Sequence, residues 1–441
     1  MVLSTLGTFG TQLAVAALSL VNVLVVARAL GAEGRGEVAF LGAVAFLTSQ
    51  LAALGVHQAN ANLVGREPHV RPSLATNSVV IALALGAIAA TFVQFLAALV
   101  PAVSGGVATG PWLLALAAIP MLVLQTYLIF LVRADYGFAV ANLALLVVPV
   151  ATVSTNGLLS LAGALTVGRA FGSWTAGQFA ATLLLVWYVQ QRLAGFGAPD
   201  RALARRALAF GAKTHGGRIM LLGNYRLDQW LVGSIAGQRE LGLYSIAVTW
   251  AETLFYLPTA IAGVQRADLV RATTSGAARA ASAAFRAAVV LTLPIAIGVV
   301  VAAPFLCVTV FGEEFRGSVD DLRVLVPGAF GIVALKLLGE ALTAQRRPLP
   351  ELVATGVAFA TGIALDVLLV PEYGGLGAAV ASTLAYTVGG ITVVVLFART
   401  LGAAPGDLVP RRAELRGLWS TFRAALRRRD VVVDAGEREA V

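Results

Sequence analysis

Apolar residues in this chain gather in long runs rather than at alternating or amphipathic spacing. Runs of about 20 such residues, enough to cross a ~30 Å hydrocarbon layer as helix, recur along nearly the whole sequence. They predict spans near 6–30, 38–58, 74–100, 111–132, 139–161, 171–191, 214–236, 241–263, 286–310, 322–345, 350–370 and 376–398. The expected fold class is all-α, a polytopic membrane protein of about twelve transmembrane helices.

The seventh run breaks the pattern. Where the other runs carry Leu, Val and Ala, it reads Asn224-Tyr225-Arg226-Leu227-Asp228-Gln229. A charge near the bilayer centre costs roughly 2.5 to 3.5 kcal/mol on insertion scales, so it faces a bundle interior or a wet cavity and marks function. At 100° per residue, Arg218, Tyr225 and Gln229 share a narrow stripe, with Arg226 and Asp228 flanking it.

A shift of 206 residues lays Gly31-Ala32-Glu33-Gly34-Arg35-Gly36 on Gly237-Gln238-Arg239-Glu240-Leu241-Gly242. Both are turns between two spans, so spans one and seven hold equivalent places, as do two and eight. Six spans is an even number, which makes the two halves a parallel repeat about an axis along the membrane normal. The same shift matches Gln12 to Arg218 and Asn22 to Asp228. The first-span stripe of Thr8, Gln12, Ser19 and Asn22 is polar but neutral, and the two stripes are expected to line opposite walls of a cleft between the halves. The expected domains are 1–191 and 214–399 as six-helix bundles, 192–213 as a cytoplasmic linker helix, and 400–441 as a cytoplasmic tail.

Composition agrees: 58% of the 441 residues are hydrophobic and 12% charged, against about 25% charged in a globular chain. Mean hydropathy is +0.84. The formal charge of +9 is mainly a topology signal rather than a sign of nucleic-acid binding. Arg66, Arg71, Arg133, Arg192, Arg201, Arg205, Arg206, Lys213, Arg266, Arg271, Arg279, Arg286, Arg346, Arg347 and the Arg-rich tail fall on one side. Only Arg35, Arg169, Arg239, Arg316 and Arg323 fall on the other. Both termini are therefore expected in the cytoplasm and the chain in the cytoplasmic membrane. The segment Arg201 to Lys213 and the tail stretch holding Leu415, Leu418, Trp419, Phe422 and Leu426 read as amphipathic interfacial helices, with the chain disordered after Asp430. The first apolar stretch is too long for a signal-peptide core. Cys307 is solitary, and His57, His69 and His215 are scattered, so no metal cluster is expected.

Other ionisable groups embedded in spans are Glu252, Lys336, Glu340 and Asp366, all in the second half. Lys336 and Glu340 are four apart and can neutralise one another on one helix face. Arg28 ends the first span and can snorkel to the interface. Pro120, Pro149, Pro258, Pro294 and Pro304 lie in or beside spans, as hinges of a moving transporter would.

The turn Leu30-Gly31-Ala32-Glu33-Gly34-Arg35-Gly36-Glu37, the run Arg226-Leu227-Asp228-Gln229 with Leu241-Gly242-Leu243-Tyr244-Ser245, and Gly374-Gly375-Leu376-Gly377-Ala378-Ala379 carry a family likeness. Over roughly residues 1–400 the chain resembles bacterial polysaccharide flippases of the multidrug/oligosaccharidyl-lipid/polysaccharide transporter superfamily. The resemblance implies a V-shaped pair of bundles moving a polyprenyl-diphosphate-linked oligosaccharide between leaflets by alternating access. On that reading Arg218 and Arg226 suit diphosphate. Gln12, Asn22, Tyr225 and Gln229 suit sugar hydroxyls, and Lys336 joins the substrate-binding set. Asp228, Glu252 and Glu340 are candidates to carry a coupling proton or sodium ion. No other cofactor is expected. The implied partners are the lipid-linked oligosaccharide, membrane lipids and other polysaccharide-assembly proteins.

Three alternatives stay open. A lipid II cargo is disfavoured because only Arg28 is embedded in the first half. A cation-coupled drug antiporter of the same fold would favour carboxylates without the arginines found here. A membrane glycosyltransferase, polymerase or ligase would need acid/base carboxylates in a sizeable outer loop, and the loops near 101–110 and 312–322, with Glu313, Glu314, Asp320 and Asp321, are short.

Overall fold

A computed structural model describes residues 2–193 and 195–410, without the side chains of 2–6, 9, 214, 216–218, 221, 222, 225 and 267. The side chains of Arg218 and Tyr225, and the tail stretch from 411 onward, therefore lie outside the described residues. The described chain is helical, and its helices cross the molecule twelve times. α1 (2–30) and α2 (32–52, continuing as Val56–Arg66) form one run broken at Gly31, whose φ of 69° and ψ of −171° suit glycine alone. α3 (Arg71–Leu99), α4 (Thr109–Ala134), α5 (Phe138–Leu161) and α6 (Val167–Arg192) complete the first half. The second half holds α7 (Arg201–Ile235), α8 (Gln238–Ala251 and Tyr256–Arg271) and α9 (Thr274–Pro304, extended by a π turn Phe305–Thr309). It ends with α10 (Ser318–Leu325 and Ala329–Ala344), α11 (348–373) and α12 (375–401), the last two parted at Gly374, φ 54°.

Among the described residues, seven helical runs are long and apolar enough to span a membrane, two of them double. The passes outside that set are α6, α7 and α8, where polar residues dilute the apolar signal. The helices continue through Pro120, Pro149 and Pro294. Beside Pro258 a 3-10 turn at Glu252–Phe255 interrupts α8, and after Pro304 the π turn widens α9, because the missing N–H and the ring leave the local backbone bond unmade.

Close helix crossings rest on glycine, as membrane packing favours. A Cβ on Gly86 of α3 would meet Pro120 Cα of α4 at 2.3 Å, and one on Gly331 of α10 would meet the Tyr386 carbonyl of α12 at 2.0 Å.

The chain packs into two compact units. One comprises Met1–Thr249, Pro304–Leu322 and Gly362–Ser382; the other comprises Trp250–Ala303, Arg323–Thr361 and Thr383–Val441. In the first unit Tyr127, Leu128, Leu185 and Val189 form a fully buried core under α2 to α7. In the second, Leu338, Leu342, Ala281 and Phe397 do the same for α9, α10 and α12.

The segment from Arg201 to Lys213, expected as a separate helix, instead opens the continuous 35-residue α7. Asp200 caps it, its Oδ1 accepting from the N–H groups of Ala202 and Leu203 at 2.8 and 3.0 Å. The Asp200 backbone in turn pairs with the Asn77 amide of α3, and Arg206 forks onto Glu67. Those bonds from Arg206 hold the Glu67 carboxyl below the usual carboxylate range. Further along, a Cβ on Gly211 would meet the Leu54 carbonyl at 2.3 Å, so α7 lies tightly on the turn inside α2.

Candidate functional site

Within the polar run of α7, Asp228 and Gln229 are buried, only 6% and 9% exposed. The Tyr244 hydroxyl of α8 donates to Asp228 Oδ2 at 2.6 Å and lies 3.2 Å from Ser382 Oγ of α12. Asp228 Oδ1 accepts the Gln229 backbone N–H at 2.7 Å. Asp366 of α11, 5% exposed, lies within electrostatic reach of Asp228, and its Oδ1 is buried without a hydrogen-bond partner. Four helices thus supply two carboxylates and two hydroxyls. The break at Gly374 helps to place them, because the Gly375 N–H that opens α12 donates to Glu240 of the α7–α8 turn at 3.2 Å.

Two like charges in a dry site repel, and one proton or one hard monovalent cation with oxygen ligands removes the repulsion. The orphaned Asp366 Oδ1 fits that role. Among the described residues no group of three His, Cys, Asp or Glu is placed to hold a metal ion.

The first half holds a neutral counterpart. Asn22 Oδ1 of α1 accepts from Asn156 Nδ2 of α5 at 2.8 Å, and Ser173 Oγ of α6 donates to Asn156 Oδ1 at 2.7 Å. Helices one, five and six here do what seven, eleven and twelve do in the second half, with amides in place of carboxylates. Asn22 and Asp228 are therefore each engaged inside their own half. Gln12 is exposed, one turn from Thr8, which accepts from Asn142 at 3.1 Å. Arg226 is half-buried and faces the like charge of Arg35, whose Nε is buried without a hydrogen-bond partner.

In the other unit, Lys336 lies near the opposite charge of Glu252. Glu340 pairs with Arg266 at 2.7 Å, not with Lys336 as the four-residue spacing suggested. Sequence reasoning did not select Tyr244, Ser382 or Asp366 for the site. Asp366 was visible as an embedded carboxylate and Tyr244 as a neighbour of the repeated glycine, while Ser382 carried no signal.

Solved structures share this architecture. The inward closed lipid II flippase MurJ superposes with a TM-score of 0.76 at 13% identity, over 92% of this chain and 89% of that one. An inward-facing multidrug resistance MATE family transporter gives 0.66 at 15%, over 87% and 94%. A MOP superfamily transporter from Pyrococcus furiosus, described as having a binding pocket of reversed polarity, gives 0.56 at 14%, over 91% and 94%. No curated protein sequence matches the chain. A twelve-helix fold shared with flippases and transporters, with a polar site around α7, agrees with the sequence-family match over residues 25–320, and the chain belongs to the family described as polysaccharide biosynthesis protein.

Proposed function

We propose that the chain flips a polyprenyl-diphosphate-linked oligosaccharide across the cytoplasmic membrane by alternating access, for cell-surface polysaccharide assembly. The family match over residues 25–320 carries this reading. The chemistry of α7 supports it: a guanidinium at Arg226 suits diphosphate, with Arg218 in the same helix, and Gln229, Tyr225, Gln12 and Asn22 suit sugar hydroxyls. Asp228, with Asp366, Tyr244 and Ser382 around it, takes the coupling proton or sodium ion, and Glu252 with Lys336 forms a second charged locus. Glu340 is held by Arg266 and serves as a latch that coupling can release. The halves 1–191 and 214–399 are the moving parts, and the basic ends and both termini face the cytoplasm. A strain lacking the gene accumulates polyprenyl-linked sugar on the cytoplasmic leaflet and loses surface polymer; normal polymer in that strain contradicts the proposal.

A second reading, a cation-coupled drug antiporter, is favoured by the buried carboxylate pair and by the likeness to multidrug transporters. Drug sensitivity with intact polymer in the same strain selects it.

A further inference from the structure

At the arginine-poor end of the molecule, the turns of the two halves meet inside one compact unit, and they meet reciprocally. A Cβ on Gly36 would lie 1.7 Å from the Gln238 carbonyl oxygen, and one on Gly242 would lie 1.8 Å from the Ala32 carbonyl oxygen. Positions 36 and 242, and positions 32 and 238, are partners under the 206-residue shift. The contact is therefore two-fold within a single chain, residue i on j and j on i, as in a symmetric dimer.

The surrounding bonds obey the same symmetry. The α1–α2 turn receives the α9–α10 loop, the Ala32 N–H donating to Glu314 Oε2 at 3.1 Å. The α7–α8 turn receives the α3–α4 loop, Gln238 Nε2 donating to the Gly105 carbonyl at 2.6 Å. Near the end of α1, Arg28 Nε and Nη2 donate to the Val310 and Thr309 carbonyls at 2.8 and 3.0 Å. Near the end of α7, Trp230 Nε1 donates to the Val103 carbonyl at 3.4 Å.

One of the two arms is charged. The last carbonyls of α9 and the first N–H of α2 have no partner within their own helices. The halves exchange caps to satisfy them: Arg28 of the first half caps α9, and Glu314 of the second caps α2, where the positive helix end favours a carboxylate. Gly31 makes room, since a Cβ there would lie 2.6 Å from Glu314 Oε2.

We infer that this cap exchange around the Gly36–Gly242 contact is the seal of the arginine-poor end, and that Arg28 and Glu314 form the latch whose release opens it. Bonds to charged groups are about twice as strong as neutral ones, which places the latch on the Arg28–Glu314 arm rather than the Trp230–Gln238 arm. The inference rests on the alternating-access reading.

The test is a spin-label distance measurement on the full chain in lipid nanodiscs without cargo, with labels at Ala108→Cys and Arg239→Cys in a Cys307→Ala background. Both label sites are exposed, on opposite halves. Glu314→Ala and Arg28→Ala are each expected to raise the ratio of long to short distances at least about tenfold, the size of losing one charge-assisted hydrogen bond or more. Arg316→Ala, whose partner Glu313 is local, is expected to leave it unchanged. Unchanged distances in both latch variants overturn the inference. If those variants fail to fold, 1 M salt on the unaltered latch decides: exposed charges are screened, so a growing long population supports it and a flat response overturns it. A distance response without any flipping would leave the seal standing and sink only the flippase reading.

Discussion

Gly36 of α2 and Gly242 of α8 each lie on the backbone of the other's turn, too close for any side chain at either position. Gly36→Val and Gly242→Val therefore cannot keep the closed contact. Each is expected either to lower the melting temperature, since overpacking against backbone costs about 1–3 kcal/mol, or to hold the arginine-poor end open. A thermal melt with the spin-label distances separates these outcomes, and an unchanged melt with unchanged distances contradicts the geometry.

The Tyr244–Asp228 bond gives a prediction on coupling. Tyr244→Phe removes the donor to Asp228 Oδ2 but leaves both carboxylates, so transport is expected to fall several-fold with a shifted cation requirement. Asp228→Asn removes the charge and is expected to abolish cation dependence. Initial rates against sodium concentration and pH check both.

Tyr127 tests stability away from the site. Its hydroxyl donates to the Ala53 carbonyl at 2.9 Å, where α2 turns before Gly55. Tyr127→Phe removes this bond while the Ala53 carbonyl still accepts from the Val56 N–H, and is expected to cost about 1 kcal/mol without altering the cation requirement. Denaturation in detergent measures the first, and the transport assay the second.

The Glu67–Arg206 pair predicts a pH response at the start of α7. The carboxyl is held below its ordinary value by the Arg206 bonds, so its contribution is complete above the unfolded-state value and is lost as pH falls through the lower folded-state value. Amide exchange at 201–206, corrected for intrinsic rates, is expected to quicken only in strong acid. Glu67→Gln should show the quickened exchange already at neutral pH.

The twelve passes were legible because apolar runs of membrane length report spans directly, and the repeat was legible because both turns need glycine at the same places, for positive φ at 31 and 237 and for close backbone approach at 36 and 242. Tertiary partners were not. Lys336 and Glu340 stand four apart, and spacing alone pairs them, yet Arg266 reaches Glu340 from α8 while Glu252 approaches Lys336. Arg28 looked free to snorkel, because no local pattern announces that the end of α9, some 280 positions away, needs its guanidinium. The linker read as a separate helix because its composition changes at 213, whereas the backbone bonds run on to Ile235. For the α7 site, the cost of buried charge picked out Asp228 and marked Asp366 as embedded, and only the fold brought Asp366, Tyr244 and Ser382 to Asp228.

The most direct measurement reconstitutes the full chain in liposomes with a fluorescent short-chain polyprenyl-diphosphate oligosaccharide and follows its loss from the inner leaflet by a membrane-impermeant quencher. The account predicts transfer accelerated by an imposed sodium or proton gradient, and at least about tenfold slower transfer in Asp228→Asn. No transfer under either gradient, with a cationic drug moved by the same vesicles, would contradict it.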